Sequence, residues 1–301
     1  MGRRVDTCVL VALLLTIGLA AVSKGESLTV SKAGADFEAI QAAIDVAGDG
    51  DVILVKPGKY LENLTITRPL TILGEEGVLL EPADAARPAI AVEGAQGVTI
   101  QGLKVWRTAL GIDVSRSSCT ISNCSISASD TGIHIAAFVG DAVSILDTIV
   151  RGSGQGTGVL IVGVGSALLS QCEINALATG ILVGGTGTTA VLSCGVEDCY
   201  EAVVLSGTTQ AVLVGNSLRG SYASGVRLDR VPFAADEGML CLIDNAIEDS
   251  AGWGFTLCGL DGTGVDAAFG RIVGSDNRFS GNERGDVCPE DLPLPAGFLL
   301  P

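Results

Sequence analysis

Histidine is nearly absent from this chain of 301 residues: His134 stands alone, beside two methionines. With no CxxC pair and no His-Cys cluster, a zinc site of the usual ligand spacing cannot be assembled. Copper handling lacks the His and Met cluster it would need. Basic residues are scarce, 18 against 34 acidic, for a formal net charge of −16. That balance excludes a basic face for nucleic acid. Beyond residue 50 there is no run of ten residues with helical periodicity, which argues against helical and leucine-rich repeats.

What the chain has instead is a repeat of about 22 residues. A Gly-apolar-x-apolar word recurs at Gly111–Val114, Gly132–Ile135, Gly158–Ile161, Gly180–Val183, Ala202–Leu205, Gly225–Leu228 and Gly254–Leu257. Such a period marks a solenoid whose coils bury their apolar faces only by stacking. A second word has apolar ends five residues apart, as in Ile100–Val105, Ile121–Ile126, Leu169–Ile174 and Leu242–Ile247. An odd interval along a straight strand puts its ends on opposite faces, so the chain must bend between them for both to point inward. Short strands turned at Gly, Asn, Ser and Asp, without helices, describe an all-β parallel β-helix.

The ends differ from the repeats. Residues 1–23 read as an export signal, with Arg3-Arg4, an apolar run from Val9 to Val22 and the small-residue site Ala21-Val22-Ser23. The expected location is therefore the periplasm, the cell surface or the extracellular space, with membrane contact only through an uncleaved signal. Residues 24–87 form a cap and first coil, 88–282 the repeats and 283–301 a tail, all in one domain. Asp36 is expected to N-cap a helix reaching about Ala47, with Phe37, Ile40, Ile44 and Ala47 on the face that plugs the open end of the core. Apart from Cys8 in the signal, eight cysteines remain, an even number suited to an oxidising compartment. The bends align Leu103, Cys124, Thr148, Cys172, Cys194, Asn216 and Asn245 in one column. Coils about 4.8 Å apart lie within the Cα separation of a disulfide, so Cys172 and Cys194 either bridge neighbouring coils or fill the column as thiols. Cys258 and Cys288 are a second candidate pair.

The opening carries a resemblance. Asp36-Phe37, Ile40-Gln41-Ala42-Ala43-Ile44-Asp45, Val52-Ile53-Leu54-Val55-Lys56-Pro57-Gly58-Lys59-Tyr60 and Leu70-Thr71-Ile72-Leu73-Gly74 resemble the N-terminal module of the pectin lyase-like superfamily. It is similar to the opening of pectin methylesterases and of periplasmic β-helix proteins. The resemblance implies a right-handed parallel β-helix. The catalytic words of pectin methylesterases and polygalacturonases are absent from this chain. A pectate lyase is implied to need only acidic calcium ligands and an Arg base, so calcium is the one cofactor the resemblance admits. Otherwise no cofactor and no metal ligand is assigned.

Strand alternation places Asp113, His134, Leu160, Leu182, Val204, Arg227 and Thr256 on one outward column. Asp113 and His134 would neighbour one another as a binding or catalytic pair, or as a surface ion pair. Leu160, Leu182 and Val204 form an apolar ladder awaiting a protein partner or the C-terminal tail. The lengthened stretches 229–237 and 261–270 are where site residues would gather: Arg227, Asp236 and Glu237 as catalytic candidates, Asp229 and Arg230 as binding residues. The expected function is a non-catalytic module that binds polysaccharide or serves a structural role. The alternative is a polysaccharide lyase or glycoside hydrolase acting at that loop. Two sequons, Asn63-Leu64-Thr65 and Asn123-Cys124-Ser125, are also present.

Overall fold

The computed structural model describes residues 25–206, 210–229, 239–258, 272–288 and 294–300. In them the chain winds as a parallel β-helix with three strand stacks. In the first stack, eleven strands from Ser27–Val30 to Ile272–Ser275 pair in parallel in a single continuous sheet. The second stack includes Glu173–Asn175, Gly195–Glu197, Ser217–Arg219 and Ala246–Glu248; the third includes Thr157–Gly163, Thr179–Val183, Glu201–Ser206, Ser224–Asp229 and Trp253–Cys258. In two early coils the second and third strands fuse, in Lys104–Ser115 and Ser125–Ala137.

A single left-handed residue makes the bend between first and second stacks. Gly102, Asn123, Asp147, Gln171, Ser193, Gly215, Asp244 and Asp276 all hold φ between 48° and 75°, where glycine, asparagine and aspartate are the least strained choices. The turn lets both ends of each five-residue word point inward: Ile121 and Ile126 are both buried, as are Ile100 and Val105. The residue after each bend stacks beneath its neighbours as expected, and Asn277 extends the column. At its C-terminal end the column is a ladder. Asn216 Oδ1 accepts from the backbone N–H of Cys194, Asn245 Oδ1 from that of Asn216, and Asn277 Oδ1 from that of Asn245.

A second left-handed column, Ala176, Asp198, Gly220, Asp249 and Gly281, turns the chain from the second stack into the third. Beneath it Leu177, Cys199, Ser221 and Ser250 are buried. The recurring glycine of the third stack reflects close approach. A Cβ on Gly180 would lie 2.4 Å from Val196 Cγ1 and 2.6 Å from the carbonyl oxygen of Ala202.

The cap departs from expectation in detail. Its helix α1 spans Ile40–Val46 and is preceded by Ala39, whose side chain caps nothing. Asp36 instead accepts from the backbone and hydroxyl of Thr29, at 2.8 and 2.6 Å. The helix N-terminus is capped from 22 residues away, because the Glu62 carboxylate takes the N–H groups of Ile40 and Gln41 at 3.0 and 2.9 Å. An acidic group there is doubly favoured, as an acceptor and by the helix dipole. Ile40, Ile44 and Ala47 are buried as the sequence suggests, Ala43 joins them, and Phe37 is only partly buried against the core.

At the other end, the described tail does not lie along Leu160, Leu182 and Val204. Phe298 is buried in the core, edge-on to Phe255 at 6.2 Å, and its carbonyl accepts from Asn277 Nδ2 at 3.0 Å. The open end of a stacked core exposes more apolar surface and unpaired backbone than its outer wall, so covering the end wins.

Candidate functional site

The outer face of the third stack carries two polar stations. In the first, strands Lys104–Ser115 and Ser125–Ala137 pair with Asp113 opposite His134, and His134 Nδ1 lies 2.8 Å from Asp113 Oδ1. Both side chains are half-buried. The carboxylate fixes the ring's orientation and leaves Nε2 as its second polar atom. The pairing anticipated from the spacing is therefore formed.

The second station lies on strands Glu201–Ser206 and Ser224–Asp229. Arg227 sits opposite Val204 in the register and reaches back across the strand to Glu201, whose carboxylate accepts a hydrogen bond from its Nη2 at 2.8 Å and forms an ion pair with the guanidinium. Asp229 approaches Arg227 Nη1 at 3.3 Å. The Glu201 contact is a charge-assisted hydrogen bond within an ion pair. Arg227 and Asp229 were expected here. Glu201 was missed, because it falls at the start of its strand, three residues before the outward position that defined the column. Asp236, Glu237 and Arg230 lie outside the described residues.

Between the stations the column is apolar. Leu160 and Leu182 are partly exposed, and Val204 is buried. Four coil steps separate His134 from Arg227 in the register, or about 19 Å at the usual strand spacing. The two stations cannot meet at one bond, so each acts alone or as separate contacts along an extended ligand. A shallow groove of about 650 Å³ runs elsewhere, beside the first bend, with Glu76, Gln101, Lys104 and Asn123 in its wall. None of its charged groups is paired across the groove in the way Glu201 grips Arg227.

Among the described residues no group of three or more His, Cys, Asp or Glu side chains is placed to hold a metal ion.

Cys172 and Cys194 fall in adjacent coils as expected and stand there as buried thiols. Each Sγ donates to the carbonyl two residues before it, that of Ser170 and Leu192 respectively. The hydrogen bond with Cys172, reinforced by burial, pushes the Cys194 thiol well up. Of the second pair, Cys288 is partly buried, and the Cys258 side chain lies outside the described set. The expected signal lies outside it as well, and among the described residues no helix is long and apolar enough to cross a membrane.

Comparison with known proteins places these features in a wider fold. The family model for the right handed beta helix region matches residues 88–229. A cell surface glycoprotein of Methanothermus fervidus is 31% identical over 123 residues, which is 39% of this chain. The match spans only 20% of that relative's length. Among solved structures, pectate lyase Pel9A superposes with a TM-score of 0.59 at 12% identity, covering 93% of this chain and 80% of its own. The catalytic domain of a GH87 alpha-1,3-glucanase, solved with nigerose, superposes with a TM-score of 0.51 at 10% identity, covering 93% and 68%. The chain thus has the right-handed parallel β-helix fold that its opening resembles, and shares that fold with the pectate lyase and the glucanase.

Proposed function

We propose that this is an exported β-helix protein that engages polysaccharide along the outer face of its third strand stack. The observation that carries the reading is the Glu201–Arg227–Asp229 cluster, held half-buried on rigid paired strands. Polar groups with fixed positions on a solenoid wall suit a long ligand, which can touch several coils at once. Two solved proteins of the same fold are named for polysaccharides, pectate and alpha-1,3-glucan, which supports a carbohydrate role by analogy. The partial likeness to a cell surface glycoprotein and the leader-like residues 1–23 support a place outside the cytoplasm.

A second reading, bond cleavage by a lyase or glycoside hydrolase, is favoured by the likeness to those two enzymes. Asp236 and Glu237, its candidates from the sequence, lie outside the described residues; among the described ones the His134–Asp113 pair offers an oriented imidazole that can take or give a proton. The test incubates the mature protein with acidic and neutral polysaccharides, with and without calcium, and reads both retention and newly released reducing or unsaturated ends. Retention that weakens in Arg227→Gln supports binding at this cluster. Released ends that vanish in His134→Ala would establish cleavage. Neither retention nor release on any polysaccharide would sink both readings.

A further inference from the structure

Two exposed tyrosines follow the second left-handed bend in neighbouring coils. Tyr200 and Tyr222 are 58% and 65% exposed, in a chain with few aromatic residues. They occupy equivalent places in neighbouring coils. Tyr222 N–H donates to Cys199 O at 3.0 Å, and the next residue, Ala223, donates to Tyr200 O at 2.8 Å. Each follows a left-handed residue by two positions, Asp198 or Gly220, and the residue between is buried, Cys199 or Ser221. The rings are therefore held out from a fixed backbone, one coil step or about 4.8 Å apart along the solenoid axis.

Exposed aromatic rings on adjacent coils would ordinarily stack on each other or on core side chains. Among the described residues the one ring-on-ring contact is Phe255 with Phe298, and the cation–ring contacts involve Tyr60 and Trp106. Tyr200 and Tyr222 take part in none of these, so their faces are available. Tyr200 also directly precedes Glu201, which grips Arg227. The rings thus border the polar cluster on the side where the chain enters the third stack.

Charge decides the class of ligand. Two carboxylates against one guanidinium leave the cluster with one net negative charge, and the whole chain carries −16. Among the described residues of the cluster the charge balance is negative, and a polyanionic glycan would meet repulsion there. A neutral pyranose chain has what the site lacks: hydroxyl donors for the carboxylate oxygens, and C–H faces that carry a slight positive charge toward the negative face of an aromatic ring. We infer that Tyr200 and Tyr222 form a stacking platform for a neutral polysaccharide running along the solenoid axis, with Glu201, Arg227 and Asp229 hydrogen-bonding its hydroxyls. This inference rests on the reading that the protein engages polysaccharide, and it adds the substrate class and the residues that select it.

The test is affinity electrophoresis of the full mature chain in gels containing dextran, laminarin, hydroxyethylcellulose or polygalacturonate. At least one neutral glucan is expected to retard the protein, with little change between 50 and about 500 mM salt, since no counterion release is involved. Tyr200→Ala and Tyr222→Ala should each weaken that retardation about tenfold, on the scale of other stacking contacts. Tyr→Phe at either position should keep most of it, and Phe138→Ala, on an exposed turn of another coil, should keep all of it. Melting curves establish that the variants fold. Retardation that survives the double Tyr→Ala variant overturns the platform and leaves the polysaccharide reading standing. Preference for polygalacturonate overturns the neutral class. No retardation by any of the four overturns both.

Discussion

Replacing Asn245 by alanine should destabilise the C-terminal coils by about 2–4 kcal/mol. Asn245 is buried and sits in the middle of the ladder. Its Oδ1 accepts from Asn216 N at 3.1 Å and Asn216 Nδ2 at 2.9 Å, and its Nδ2 donates to Leu213 O and to Asn277 Oδ1, both at 2.9 Å. Alanine deletes all four bonds. Asn216 Nδ2 keeps Val191 O and Asn277 Oδ1 keeps Asn245 N, so the orphan that matters is the buried backbone N–H of Asn216. Leaving such a donor unpaired costs roughly 1–3 kcal/mol, and the other lost bonds add about 1 more. Threonine offers an internal control, since Thr148 in the same column accepts from Cys124 N at 3.3 Å and donates to Leu146 O. Asn245→Thr should therefore lose about half as much. Urea unfolding followed by tryptophan fluorescence reads the effect, with Trp253 reporting the late coils in a Trp106→Phe background. An alanine variant within about 0.5 kcal/mol of the parent would refute the ladder argument, as would a threonine variant no better than alanine.

Other outcomes follow from the same geometry. Glu248 is clamped by Arg219 at 2.5 Å and Arg278 at 2.6 Å, and these hydrogen bonds hold its carboxyl below the usual value of 4.5. A depressed folded-state pKa stabilises above the unfolded value and is lost as pH falls through the folded one. Glu248→Gln should thus be less stable than the parent at pH 7, with the gap closing below about pH 4 in pH-dependent melts. Phe298→Ala removes the aromatic plug of the C-terminal end and should cost about 3–5 kcal/mol by urea denaturation. Gly180→Ala forces a methyl against Val196 and the Ala202 carbonyl and should cost about 1–3 kcal/mol in the same assay. If the chain is glycosylated, mass spectrometry should find the sugar on exposed Asn123 and not on Asn63. The Asn63 amide is occupied by Asp84 N and by the carbonyls of Asp84 and Pro88, at 2.7–3.0 Å.

The fold was legible because its rules are local and repeat. The odd spacing between Ile121 and Ile126 requires a bend, and the structure places left-handed Asn123 between them. The residues that stack beneath the bends, and the Asp113–His134 pairing, follow from counting alone. What counting missed depends on contacts between distant residues or on side-chain reach. The cap of α1 comes from Glu62 across the first coil, where no spacing rule looks. The second bend was hidden because its left-handed residues include Ala176 and two aspartates, with no constant residue type to mark it. Glu201 was overlooked because its long side chain reaches Arg227 from a strand's first residue, so a column of outward positions does not contain it. Phe298 reads as one more apolar residue of a tail until the open end of the core gives it a place.

The same regularity shapes the functional reading. A solenoid wall repeats every 4.8 Å or so, so any side chain brought to its surface acquires neighbours of its own column before it acquires a catalytic partner. Asp113–His134 is built this way, and Glu201–Arg227 joins adjacent strands on a diagonal. About 19 Å of apolar wall keeps them apart. A small substrate could use one of them only. A chain-like ligand lying along the axis could touch both, and Tyr200 and Tyr222 follow the same axis one coil apart. The distribution of polar and aromatic groups thus matches an extended ligand better than a compact one, and it does so whether or not a bond is broken.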